Sequence, residues 1–268
     1  MLSSVFHSQI ELGIAQALIS IVVALSVVWL ARQRSIFLGY ETLVALVRGL
    51  VQVVAVGLIL VLALNGPLWL GAILLAGMIA AAASTAARRG RQIPGILPVV
   101  LIGIAAGSGS LILIMTILGV IEPTVSSEVT VGSMIIANAM NSVALALDRF
   151  RAEVESHVGQ IEVALSLGAD PANVVEPYIQ RSTQAAMIPR IDTLRSLGIV
   201  WIPGLMAGMI ISGSDPVYAG IYQFVVLALI YASAGLSTVL SLLLVRRRVF
   251  SPADQLLLRP RIEAKPGR

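Results

Sequence analysis

Apolar residues run along this chain in blocks of about twenty, divided by short stretches rich in Arg, Gly or Pro, and that spacing sets the first expectation. A helix that crosses a hydrocarbon core of about 30 Å needs about 20 residues. Seven segments have that length and character, near residues 10–31, 41–64, 67–87, 97–120, 129–148, 194–212 and 217–245. The pattern predicts an all-α polytopic membrane protein, with residues 1–268 forming a single transmembrane domain.

One long stretch, 149–193, breaks the pattern. From Arg149 to Leu167 the apolar residues Phe150, Val154, Val158, Ile161 and Leu165 recur at three- and four-residue steps, with Arg151, Glu153, Glu155 and Glu162 on the rest of the wheel. That is an amphipathic helix too polar to span a bilayer. Gly168-Ala169-Asp170-Pro171 then combines a helix stop with a helix start: Gly ends one helix, Asp caps the next and Pro takes its first position. A second helix is expected from Pro171 to about Ile188, kinked at Pro177. The stretch reads as a cytoplasmic helical hairpin with a rigid elbow.

Charge is sparse and one-sided. Only 12% of the residues are charged and 57% are hydrophobic, against about 25% charged in soluble domains. The cations are almost all arginines beside apolar blocks: Arg32, Arg34, Arg88, Arg89, Arg91, Arg149, Arg151, Arg181, Arg190, Arg195 and Arg246 to Arg248. With the N-terminus outside and seven spans, all of these fall on the inner side, while the expected outer loops 121–127 and 212–216 hold no Lys or Arg. The net charge of +4 is thus explained by topology, without nucleic acid as a partner. The absence of a basic segment ahead of the first block marks it as a retained helix, not a signal peptide.

Missing residue types narrow the chemistry. There is no cysteine, and the two histidines, His7 and His157, fall on opposite sides of the expected membrane, so no metal site is assigned. The single lysine is Lys265. A P-loop requires Lys in G-x-x-x-x-G-K-[ST], so any ATP-driven work requires a separate chain, and this one is not expected to be an enzyme or to bind a cofactor.

Four features inside the spans are candidates for a translocation path, each with a structural alternative. Arg48 and Gln52 lie one turn apart on the second span, either facing a cavity or, for Arg48, snorkelling to the interface or pairing with Glu41. Asn138 and Asn141, at i and i+3 on the fifth, either line a path or bond neighbouring helices. Pro203-Gly204 breaks the sixth span, as a cavity-lining interruption or as a packing kink. Met206, with Met134, Met140 and Met209, is either a soft lining or core filler.

Met134-Ile135-Ile136 with Asn138 and Met140-Asn141, Glu162 to Gly168, Ile188-Pro189 and Gly198 to Gly208, together with Arg48, Gln52, Met78, Arg88-Arg89, Phe250 and Gln255-Leu256-Leu257, resemble the FetB-type permease family. Its bacterial members are linked to iron export, and plant aluminium-tolerance half-transporters are similar to them. Ser133 and Ala137 stand where that family's pattern has glycines, and Ala207 and Met209 where it has a polar pair.

The resemblance implies the membrane half of an ABC exporter in the inner membrane, paired as a homodimer and powered by a FetA-like P-loop ATPase that uses ATP and Mg. Glu162, Ala164, Leu167, Gly168, Ala169 and Asp170 are similar to a coupling-helix signature, which implies that the elbow docks on the ATPase. Iron or another metal is the implied substrate, with a nucleotide-sugar or other small solute as the alternative. An ion-coupled secondary transporter needs ionisable residues at mid-span, and the expected spans have almost none apart from Arg48 and, near the outer end, Glu11. A non-transporting membrane scaffold would use the elbow as a binding site alone.

Overall fold

The computed structural model describes residues 9–34, 39–63 and 66–258, and every regular element among them is helical. His7, Lys265 and the side chain of Glu41, all used above, lie outside the described residues. The chain divides into two compact units, 1–65 and 66–268.

The first unit contains α1 (Gln9–Gln33) and α2 (Gly39–Ala63), which touch each other. Neither contains a proline, so each pairs its backbone groups internally, as lipid demands. Their apolar side chains, Val22, Val23, Val53 and Val54 among them, are exposed on the chain. Arg48 and Gln52 are exposed side chains of α2.

The second unit is a helical bundle whose register follows from close contacts. It comprises α3 (Leu68–Ala87), α4 (Ile96–Ile104), α5 (Ser110–Ile117), α6 (Val125–Ser156), α7 (Val158–Ser166), α8 (Pro171–Ser196), α9 (Gly204–Ile211) and α10 (Pro216–Val245). α4 passes into α5 through a π-helical turn at Ala105–Gly109, giving an uninterrupted apolar run, Ile96–Ile117. On this run Gly103 and Gly107 press against Ser241 and Ser237 of α10, and a Cβ on Gly107 would lie 2.6 Å from the Ser237 backbone nitrogen. Small residues four apart on both helices allow that approach. Ser233 donates to Ser108 at 2.9 Å within the same seam. On the other side, Gly132 of α6 admits Leu75 of α3, so α3 and α6 run parallel and α10 runs against α4 and α5.

This register gathers Arg88 and Arg89 after α3, Arg149 and Arg151 on α6, and Arg246 to Arg248 after α10 at one end of the bundle. Gly95, entering α4, meets Arg248 at that end, and Arg246 reaches Glu176 of α8 at 3.4 Å. At the opposite end, the α5–α6 and α9–α10 connections carry no cation among the described residues.

Three boundaries differ from the sequence expectation. Among the described residues six helices, not seven, are long and apolar enough to span: Ile10–Gln33, Thr42–Ile59, Leu68–Gly90, Ile96–Ile117, Val125–Ser156 and Pro216–Val245. The expected sixth, 194–212, is divided, because α8 stops at Ser196, Gly198 takes a positive φ of 73°, and α9 restarts only at Gly204. The fifth is longer than expected and continues through Asp148-Arg149 to Ser156 before breaking at His157, so its polar end is not a separate helix. Finally, α8 does not stop near Ile188. It carries Pro177 and Pro189 inside and runs antiparallel to α10, from Glu176 beside Arg246 to Met187 beside Gly235. Arg190, grouped above with the inner cations, therefore lies ten residues inside the expected span 129–148, against Asn138.

Candidate functional site: an elbow at one end and a guanidinium cavity in the bundle

The elbow is built by backbone hydrogen bonds. Ala169 N–H donates to the Ala164 carbonyl at 3.1 Å and Gly168 N–H to that of Leu165 at 3.0 Å, the two bonds of a Schellman stop, with Gly168 in the left-handed region at φ 84°. An Asp170 carboxylate oxygen then accepts from Asn173 N–H at 3.1 Å and caps α8. A Cβ on Gly168 would meet nothing within 4 Å, and Leu167 is 82% exposed. Glu162 and Ala169 also lie on the exposed surface, with Ala164 half-buried. The result is a stiff, small, solvent-facing turn with one projecting apolar side chain. Behind it, Ile161 and Val154 are fully buried, the His157 ring stacks at 5.1 Å from that of Tyr178, and Arg181 pairs with Glu153 at 3.7 Å. These contacts tie α7 and the start of α8 to α6.

The second site lies further along α8. Arg190 Nη1 donates to Asn138 Oδ1, while Asn138 Nδ2 donates to the Met134 carbonyl at 2.7 Å, so the carboxamide is engaged on both sides. Arg190 Nε is buried without a partner, and among the described residues no carboxylate pairs with this guanidinium. A charge at membrane depth costs at least about 2.5 kcal/mol and is retained where it faces a cavity or a ligand. Here it lines a cavity of about 260 Å³, shared with Met134, Asn138, Thr193, Trp201, Leu227 and Tyr231 among others.

Beyond the cavity, the interruption expected at Pro203-Gly204 is present. Pro203 is buried and Gly204 exposed, and Ile199, Val200 and Ile202 project from the loop before them. A restarting helix leaves its first N–H groups unpaired. The buried side chain of Gln223, on α10, accepts from Met206 N–H at 3.2 Å and supplies one partner. Met206 packs toward Gly220.

The candidate path residues therefore part company. Asn138 and Met206 belong to the interior, but Asn141, one turn along α6, is exposed and away from the cavity. Arg48 and Gln52 belong to the other unit. Arg190 and Gln223 were missed. The signals for both are plain in retrospect: one cation enclosed by Met187-Ile188-Pro189 and Ile191, and one carboxamide in the thirty apolar-rich residues of α10. Among the described residues no group of three or more His, Cys, Asp or Glu is placed to hold a metal ion.

Comparison with known proteins places these features in context. The uncharacterised protein family UPF0014 matches residues 10–250. The probable iron export permease protein FetB of Escherichia coli is 34% identical over 157 residues, which cover 59% of this chain and 61% of that protein. The UPF0014 membrane protein STAR2 of Oryza sativa is 30% identical over 88% of this chain and 82% of its own length, and the protein ALUMINUM SENSITIVE 3 of Arabidopsis thaliana is 27% identical over 91% and 90%. No solved structure matches significantly.

Proposed function

Because this chain belongs to the uncharacterised family UPF0014, we propose that it is the multi-pass permease subunit of an ABC transporter, exporting iron or another metal from the cell and driven by a separate P-loop ATPase that uses ATP and Mg. The observation that carries this reading is the elbow. Its Schellman turn at Gly168 presents a rigid, small-residue surface with Leu167 projecting from it at the arginine end of the bundle, and α8 starts directly from it. The similarity to FetB, a probable iron export permease, supports the choice of metal and the outward direction.

In this reading two copies pair in the inner membrane, N-terminus outside and C-terminus inside, with an ATPase on each elbow. The C-terminal half of α8, the Leu197–Pro203 loop and α9 together form the seventh, broken crossing. This fits their course along α10, which places Arg190 opposite Tyr231 and Met206 opposite Gly220 and Gln223. Broken helices at the centre of a transporter expose backbone groups where they line a cavity.

The test is reconstitution of the full chain with a candidate P-loop ATPase subunit. ATP-dependent efflux of iron from right-side-out proteoliposomes is expected, together with co-purification of the two chains. Stable co-purification without movement of any metal would shift the substrate to another small solute. Failure of any ATPase to bind the elbow would remove the ABC assignment.

A further inference from the structure

Among the described residues Arg190 is the one charged side chain lining the cavity between α6, α8, α10 and the Trp201 loop, and it has spare donors there. Its Nη1 is held by Asn138, its Nε is buried without a partner, and no acid belongs to the cavity wall. The amide of Asn138 is spent on Arg190 and on the Met134 carbonyl, and the Thr193 hydroxyl donates to the Pro189 carbonyl at 2.7 Å. Asn138 is therefore a positioning residue, and the guanidinium carries the recognition. A bare metal cation entering this cavity meets fixed positive charge and no carboxylate, thiolate or imidazole ligand. A carboxylate or phosphate meets a planar fork of N–H donors in partly buried, partly aromatic surroundings, which favour charge-assisted hydrogen bonds. At about 260 Å³ the space lies just below the usual range of about 300 to 1,000 Å³ for ligand pockets, and suits a small solute or the anionic head of a larger one.

We propose that the Arg190 cavity binds an oxyanion, a carboxylate or phosphate group, so that a metal reaching it travels as an anionic chelate and not as a free ion. This rests on the transport reading above and assigns its solute class. Direct binding tests it without the ATPase. In the full chain in nanodiscs, with Trp29→Phe and Trp69→Phe, Trp201 is the only tryptophan and lies in the cavity wall. Its emission is titrated with citrate, inorganic phosphate, ferric citrate and ferrous chloride at constant ionic strength.

Saturable responses to citrate or phosphate are expected, and to ferric citrate wherever citrate responds, but not to ferrous chloride. Affinity should fall by at least about tenfold in Arg190→Gln, and by a smaller factor in Arg190→Lys, which keeps the charge and loses the fork. If Arg190→Gln does not fold, Arg190→Lys decides, and unchanged binding in it overturns the site. So does the absence of any anion response in the parent protein, or a saturable response to ferrous chloride alone. Anion binding that depends on Arg190 alongside failed efflux would instead count against the transport reading while the site stands.

Discussion

Replacing Asn138 by Leu isolates what the buried guanidinium costs the fold. Leu keeps the branched skeleton of Asn with bulkier methyl ends that can extend into the adjoining cavity, so packing around α6 is largely kept, but Arg190 Nη1 loses its acceptor while Nε already lacks one. A buried donor stripped of its partner costs about 1 to 3 kcal/mol, more when charged. Arg190 is half-buried, so water relieves part of this and the expected destabilisation is about 1–2 kcal/mol. Asn138→Leu combined with Arg190→Leu removes donor and acceptor together, and replacing both partners by apolar groups is close to neutral. The double variant should thus be more stable than Asn138→Leu alone, with a favourable coupling of about 1 kcal/mol. Asn141→Leu is the control: that carboxamide is exposed and away from the cavity, so its effect should stay within about 0.5 kcal/mol. Equilibrium unfolding of the full chain in mixed micelles measures all three. A double variant no more stable than Asn138→Leu would show that the pair does not bear this load, and an Asn141→Leu effect as large as that of Asn138→Leu would show that the exposed carboxamide has a partner outside the chain.

Two further outcomes follow from the elbow and the ends of the bundle. Gly168→Trp should insert normally and lose co-purification with the ATPase, since its Cβ meets open space within the chain, while Gly168→Ala should keep most binding and cost about 1 kcal/mol for its left-handed φ; undiminished co-purification of the Trp variant would move the dock elsewhere. With no native cysteine to remove, Ser126→Cys and Ser166→Cys, both exposed and at opposite ends of the bundle, should react with an impermeant maleimide from outside and inside respectively, and the reverse pattern would invert the orientation.

Long apolar blocks with arginines at their ends were readable because each signal is local: block length fixes a helix, and a Gly-Ala-Asp-Pro junction states both its stop and its restart. The elbow was found for that reason, down to the capping role of Asp170. What the sequence did not place was the C-terminal end of the second polar helix, expected near Ile188 and found at Ser196. α8 mixes Gln180, Arg181, Gln184 and Arg190 with apolar residues, and hydropathy averages such a helix to a surface segment. Its C-terminal half nevertheless packs along α10, a tertiary fact that no window of sequence contains. The two asparagines part for a different reason, since i and i+3 place them on neighbouring faces and a broad helix can bury one edge and expose the next. Only the partner, Arg190, fifty-two residues away, decides which edge is interior.

One helix joins the two sites. From Pro171 at the elbow to Arg190 at the cavity, α8 covers nineteen residue steps, or about 28 Å. Near its start it is clamped to its neighbours by Glu176–Arg246, Arg181–Glu153 and the Tyr178–His157 rings. In the proposed transport reading a push on the elbow would therefore move the start of α8 together with α6 and α10, and independent movement of its C-terminal half requires a bend further along the helix axis. The weak points on that axis are the two internal prolines, each lacking an N–H for the carbonyl four residues earlier. Pro189 immediately precedes Arg190, so bending there turns the guanidinium against Asn138 without unwinding α8. The residue that would grip the solute is also the residue that a push on the elbow reorients, which gives α8 a mechanical role that neither site explains alone.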